Sequence, residues 1–373
     1  MIVPTAGSHD FRWLDAVRAV AAVIVVVSHV RDILWQDYAG GGALAFLLYF
    51  ITGLGHAGVV VFFVLSGFWI TKSVTSRVGS SGFWRDYMVD RLSRLWIVLL
   101  PCLAIGGGLD WWGGVHLALP LYNGLTGAHS LEHPLRESLT VSSLLASMVF
   151  LQTIVAPPFG SNGPLWSLAN EFWFYVWLPA LLLSLRLRRP SPALVALALG
   201  IVQPQLLIGF VTWLFGTGAY LLLFTPGAER RLRRHGRVLL AVGLALTAGA
   251  LIVIRVLPRP WMDPVLGAAF ALLLVGWGLM RPRFPNRLRF LPTFGANSSF
   301  SLYACHYPVT ALLGGMLTIG GRLPFSARGC ALLLAVTAVT ILGGILLSHA
   351  TEAYTNSVRR AVRAWRFHPL PRE

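Results

Sequence analysis

The chain has 373 residues, of which 56% are hydrophobic and only 12% charged, with a mean hydropathy of +0.69. A soluble core of this length cannot hide so much apolar side chain, which excludes an ordinary soluble globular protein and predicts a polytopic membrane protein. The formal charge of +16 does not indicate nucleic-acid binding, because the basic residues lie in short clusters between apolar runs, the pattern that signals membrane topology.

The N-terminal MIVPTAGSHDF lacks a basic region leading into a short apolar core, so no signal peptide is expected and the first apolar run is read as a retained helix. Runs long enough to cross a bilayer, or nearly so, lie at about 12–34, 54–72, 91–110, 164–185, 206–224, 236–257, 264–280, 295–318 and 327–349. A tenth, shorter run at about 191–203 is set off from its successor by Gln203, Pro204 and Gln205, read as a tight turn. With ten crossings and a cytoplasmic N-terminus, 24 of the 30 Lys and Arg residues fall on the inner side. Dropping the short helix would move the downstream basic clusters to the wrong face.

Segments 43–52 and 143–156 are then re-entrant or interfacial, and 111–135 is the largest outer loop, aromatic enough to rest on the interface. The expected fold is all-α: one membrane domain over 1–373, with about ten transmembrane helices surrounding a polar pore and both termini cytoplasmic. Its helical core covers about 12–349, and its basic tail, about 350–373, is an amphipathic inner-surface anchor. Cys102, Cys305 and Cys330 fit neither a metal motif nor a disulfide framework and are read as packing residues; no metal is expected.

Within the apolar runs a few polar side chains stand out. Arg18 and His29 lie eleven residues apart in WLDAVRAVAAVIVVVSHV, which puts them on one helix face roughly 16 Å apart. Ionisable residues in a spanning helix usually mark a functional path; the alternative is an Arg18 that snorkels beside Asp15 and a His29 that is merely satisfied. Asp15, three residues before Arg18, can pair with it across one turn. Ser66 and Gly67 give their helix a small polar break, suited to close helix packing or to the passage of a slender ligand. Arg91 and Arg94, three apart, form a fork for phosphate oxygens or serve as positive-inside anchors. Glu171 needs a partner or a wet cavity, with Trp166 roughly 140° away around the same helix. Tyr303 and His306 share a face of a helix expected to be capped by Asn297 and Ser298.

In chain order, LDAVRAVAAVIVVVSH, VFFVLSGFWI, RLSRLW, LWSLANEFWFYVWLP and SFSLYACHYP, spread over residues 14–308, resemble the successive signatures of the acyltransferase-3 family of membrane acyltransferases. That family acylates hydroxyl groups on glycans, lipid-linked sugars or small natural products, with an acyl-coenzyme A as donor. The resemblance implies that His29 is catalytic, as general base or covalent nucleophile, with Arg18 and Asp15 in support. It implies that Arg91 and Arg94 hold the donor's phosphates, with Ser66 and Gly67 along the donor path. Glu171 would orient His29 or bind the acceptor hydroxyl, and Trp166, Tyr303 and His306 would line the acceptor pocket. Asn170, Phe300 and the lack of a second acid after Glu171 depart from the family pattern and leave the acceptor open.

The expected activity is transfer of an acetyl group from cytoplasmic acetyl-CoA to a sugar hydroxyl of an envelope or secreted polysaccharide, or of its lipid-linked precursor, at a bacterial-type inner (cytoplasmic) membrane. Expected partners are acyl-CoA, a glycan or glycosylated acceptor and the lipid bilayer, but no nucleic acid; the oligomeric state is left open. Alternatives are a glycosylated small-molecule acceptor, another donor such as succinyl-CoA, or a carrier or flippase using the polar stripe as its path.

Overall fold

The computed structural model describes residues 10–78, 82–131, 133–254 and 259–365. The last part of the expected inner-surface tail, 366–373, lies outside the described residues. Fifteen α-helices are described and, among the described residues, no β-sheet. They are α1 (Arg12–Leu34), α2 (Gly42–Thr52), α3 (Gly55–Thr75), α4 (Phe83–Asp110), α5 (Val141–Met148), α6 (Trp166–Leu187), α7 (Ser191–Val202) and α8 (Pro204–Phe224). The chain continues through α9 (Pro226–Arg233), α10 (Gly236–Val253), α11 (Arg259–Met280), α12 (Phe290–Asn297), α13 (Ser299–Leu317), α14 (Ala327–Ala350) and α15 (Thr355–Trp365).

The protein is a multi-pass membrane protein. Eight stretches among the described residues are helical, long and apolar enough to cross: Arg12–Leu34, Gly42–Thr75, Phe83–His116, Gly163–Leu187, Pro204–Phe224, Gly236–Val253, Trp261–Met280 and Ala327–Ala364. The two other expected crossings are helical as well. The first, α7, has 12 residues, a rise of roughly 18 Å against a hydrocarbon core of about 30 Å. The second, α13, has 19 residues, most of them buried in protein. The turn between α7 and α8 falls at Gln203, with Pro204 at the first position of α8, where its missing N–H costs nothing. The 11-residue α2 and 8-residue α5 are too short to span by themselves.

The described residues divide into two compact units, between which α1 and α6 each continue. The first comprises the described parts of Met1–Ala21, His56–Ser80 and Asn170–Gly295. Its core joins Val64, Leu65 and Phe68 of α3 to Ala219, Tyr220 and Leu223 of α8 and Phe270, Leu274 and Val275 of α11. Here α3 and α8 touch backbone to backbone. A Cβ at Gly67 would fall 2.1 Å from the Trp213 carbonyl oxygen, and one at Gly216 would fall 1.9 Å from that of Val64. Of the two uses expected for the small residue at 67, the structure shows close packing: the space beside its Cα is filled by α8 rather than left open along a ligand path.

The second unit comprises the described parts of Ala22–Gly55, Ser81–Ala169 and Ala296–Glu373. At its centre α13 packs against α4 and α14, and Cys102 and Cys305 meet in a buried cluster with Val98 and Ala304, the packing role expected of those thiols. Segment 111–135 does more than rest on an interface. Although Trp111 and Trp112 are exposed, Leu119, Leu121, Tyr122, Leu131 and Leu135 fold inward onto Ile33, Tyr307 and Ala311. Burial pushes the Tyr122 phenol above its usual range.

The start of α13 also differs from expectation. Ser298 holds the N-cap position without a side-chain capping bond, and its hydroxyl meets Ser348 at 2.9 Å instead. The capping charge comes from another segment: Glu352 accepts from the Ser301 N–H at 2.8 Å, a carboxylate at the positive end of the helix.

Candidate active site

Pro308 shapes the local chemistry of α13. It has no N–H, so the carbonyl of Ala304, four residues earlier, loses its helical donor. The buried Asn162 side-chain amide replaces it, donating to the Ala304 oxygen at 2.8 Å. One residue earlier, the Tyr303 and Ser167 hydroxyls meet in a short hydrogen bond beside the Pro164 carbonyl, which lies 3.0 Å and 3.1 Å from them. Trp166, half-buried, opens α6 next to this cluster. These contacts pin α13 to the segment that leads into α6.

On the helix so held, His306 is fully buried. Its Nδ1 lies 2.7 Å from the Tyr303 carbonyl oxygen. A carbonyl can only accept, so Nδ1 carries the hydrogen and Nε2 of the neutral ring has the lone pair. That Nε2 lies 3.0 Å from Nδ1 of His29, which must therefore be the donor. The remaining nitrogen, His29 Nε2, is left with its lone pair, and His29 keeps some accessible surface where His306 has none. Two of the expected site residues are thus brought together, and a backbone carbonyl sets the tautomer of both.

Further contacts around the His29 ring involve residues that the sequence did not single out. Tyr307 presents its ring edge-on to His29, with centroids 5.2 Å apart, and donates its hydroxyl to Ser130 Oγ at 2.8 Å. Ser130, from segment 111–135, gives both its N–H and its hydroxyl to Asp32, one turn beyond His29 on α1. Asp32 is buried, and an acid three residues after the histidine was the one sequence signal available. In the same unit Asp110 accepts from the Ser161 N–H and hydroxyl at 2.7 and 2.6 Å. Gly160 beside it has φ +65°, and a Cβ there would fall 2.2 Å from the carboxylate.

The other expected residues are placed as follows. In the first unit, Glu171 Oε1 accepts from the Ser66 hydroxyl at 2.6 Å and from the Tyr175 hydroxyl at 2.5 Å. Arg18 and Asp15 approach to 3.4 Å, the long end of a hydrogen bond. His56 and Asp263 form a closer pair at 2.7 Å that the sequence did not single out. In the second unit, Arg91 and Arg94 lie on α4, half-buried, with the Arg91 guanidinium 5.5 Å from the centre of the Tyr87 ring. A cavity of about 270 Å³ in the first unit is lined almost wholly by apolar side chains, with Asp10 and Arg281 as its charged members. No group of three or more His, Cys, Asp or Glu side chains suited to a metal occurs among the described residues.

A family model for acyltransferase domains matches residues 11–349. An O-acetyl transferase of Shigella phage Sf6 is 29% identical over 170 residues, covering 45% of this chain and 45% of the phage protein. The acyltransferase MdmB of Streptomyces mycarofaciens is 31% identical over 208 residues, covering 55% of this chain and 48% of that protein. The chain thus spans about half the length of these curated relatives. No solved structure matches it.

Proposed function

Because the chain belongs to the acyltransferase-3 family, matched over residues 11–349, we propose that it is a membrane O-acyltransferase with His29 as general base. The observation that carries this reading is the hydrogen-bond chain from the Tyr303 carbonyl through His306 to His29, which leaves a lone pair on His29 Nε2. As an acceptor hydroxyl attacks the thioester carbonyl, Nε2 takes its proton; the C–S bond then breaks, and the proton passes to the departing thiolate. The positive charge that builds on His29 is met by the lone pair of His306, itself backed by the Tyr303 carbonyl dipole. Of the two roles weighed for His29, we take base rather than covalent nucleophile, because direct transfer to the acceptor hydroxyl needs no acyl-imidazole intermediate.

The donor is an acyl-coenzyme A, acetyl-CoA first among them, since one relative is named an O-acetyl transferase. Its phosphates lie on Arg91 and Arg94 at the cytoplasmic end of α4, and its thin arm extends through a polar passage toward His29. Glu171, steadied by Ser66 and Tyr175, binds an acceptor hydroxyl, while Trp166 and Tyr303 border the acceptor and Asp15 steadies Arg18. The acceptor is a sugar hydroxyl of an envelope or secreted polysaccharide or of its lipid-linked precursor. The protein sits in a cytoplasmic membrane with ten crossings and both termini inside.

Purified protein in detergent tests the chemistry. Acetyl-CoA is expected to release free thiol slowly without acceptor, and His29→Ala is expected to remove that release. Equal thiol release by wild type and His29→Ala would overturn the role of the imidazole. Intact-mass and NMR comparison of cell glycans with and without the gene tests the acceptor; an unchanged acetyl signal there, with a change instead in a glycosylated small molecule, would redirect it. Faster turnover of succinyl-CoA than of acetyl-CoA would replace the donor.

A further inference from the structure

The proposed donor site holds a feature that goes beyond the two arginines of α4. Asp90, next to Arg91 in sequence, is buried, and two partners of its carboxylate come from the C-terminal helix. Arg359 Nε lies 3.0 Å and Arg363 Nη2 2.7 Å from its Oδ1. The two arginines are four residues apart and so share one face of α15. The root of that helix is tied down as well, through Glu352 at the start of α13 and through packing of the 352–354 turn against α4 and α14. A helix that served only as a lipid anchor would turn its cations outward to headgroups; this one turns two of them onto α4.

Among the charged groups that act on Arg359, Asp90 attracts it, while Arg91, Arg94 and Arg363 repel it. Guanidiniums that act on one another in this way form a basic patch suited to an anion with several charges. Guanidinium forks match phosphate oxygens geometrically, where a lysine offers only a point charge. The phosphate end of a coenzyme A, with a pyrophosphate and a separate 3′-phosphate, supplies two centres for two pairs of forks.

We propose that the C-terminal helix completes the donor's phosphate cradle: Arg359 and Arg363, held over α4 by Asp90, join Arg91 and Arg94 in binding the phosphates of an acyl-coenzyme A. This rests on the assignment of Arg91 and Arg94 to the donor, and it makes the tail part of the binding site. Asp90 is the positioning residue, which fixes two mobile side chains in advance of the ligand.

The test measures binding of 3′,5′-ADP, the phosphate end of the donor alone, to full-length protein in phosphatidylcholine nanodiscs, and in parallel binding to vesicles with and without phosphatidylglycerol. The variants are Arg359→Gln with Arg363→Gln, and Arg91→Gln with Arg94→Gln. Each pair is expected to weaken nucleotide binding at least about tenfold, and Lys at 359 and 363 is expected to restore only part of it. Asp90→Asn adds net positive charge yet is expected to weaken binding, because the tail arginines lose their anchor; tighter binding in that variant would overturn the positioning role. Nucleotide affinity unchanged by the tail pair but lost with the α4 pair would overturn the cradle and leave the donor site standing. Affinity unchanged by either pair would remove the donor site itself. Should the tail pair change only phosphatidylglycerol binding, the helix is a lipid anchor and the inference fails. If the double variant does not fold, Arg363→Gln alone, at the more exposed of the two positions, is expected to weaken binding severalfold, and an unchanged affinity there would overturn the proposal.

Discussion

Two polar clusters, one in each unit, are anchored in different ways. In the first unit the Glu171 carboxylate is held by two hydroxyls, Ser66 and Tyr175. In the second, the His29 and His306 rings are held by the backbone carbonyl of Tyr303. A hydroxyl rotates and can exchange one partner for another, so a carboxylate steadied by hydroxyls can accept a substrate hydroxyl at little cost. A main-chain carbonyl in a helix cannot turn, and it fixes which ring nitrogens carry hydrogen. The first arrangement suits binding and the second suits proton transfer. Under the proposed function, His306 is given the orienting role that the sequence offered to Glu171, and Glu171 is assigned to the acceptor.

The contrast is sharpest at His29, where the largest effect is expected. His29→Ala should lower turnover by about 10²–10⁴-fold with donor affinity kept, as measured by single-turnover transfer and equilibrium binding; a comparable loss of donor affinity would place the ring among binding groups. His306→Ala should cost roughly one to two orders of magnitude and move the limb of the pH–rate profile that reports the base. His306→Gln, whose amide oxygen can accept from His29 Nδ1, should recover part of the rate. An unmoved profile in both variants would make His306 a packing residue and dissolve the contrast. Glu171→Gln should act on the acceptor side, raising the acceptor KM by about tenfold while thiol release without acceptor is retained. Loss of that basal release would instead assign the carboxylate to the proton-transfer group.

The smallest effect lies away from both clusters, just beyond the C-terminal end of α1. Arg322 donates to Asp37 at 3.1 and 2.9 Å and holds its carboxyl below the usual range. The unfolded chain then takes up the proton first, so the contribution of the pair is present above about pH 4 and is lost as pH falls through the lower folded value. Asp37 is more than half exposed, so Asp37→Asn should flatten the acid side of the Tm-versus-pH curve while leaving the neutral Tm nearly unchanged. A large drop at neutral pH would show that the bridge carries structural weight.

The sequence made the helices, the membrane class and the principal polar residues readable, because each depends on short-range pattern. Apolar length marks α1 or α8 without reference to anything distant, and a histidine in a valine-rich run stands out unaided. What could not be read comes from partners far along the chain. Ser130 reaches Asp32 across 98 positions, Asn162 reaches Ala304 across 142, and Arg363 reaches Asp90 across 273. No periodicity encodes such meetings. Gly67 was ambiguous for a related reason, since a missing side chain serves a ligand or a neighbouring helix equally well, and only the position of Trp213 decides. Ser298 holds the N-cap position that the sequence suggests, but its hydroxyl is taken by Ser348 and a carboxylate from position 352 reaches the helix end, a distant partner that no local pattern announces.

The proline in α13 also bears on how the protein is made. A carbonyl stripped of its donor inside hydrocarbon costs several kcal/mol, so α13 alone in lipid would be an incomplete helix. Its missing donor lies on a segment that the ribosome has already released when α13 emerges. The order of synthesis thus delivers the amide before the gap it must fill, and insertion of the later helix can be completed by docking onto protein already present. Replacing Asn162 would expose that dependence as slower or less efficient assembly before any change in chemistry.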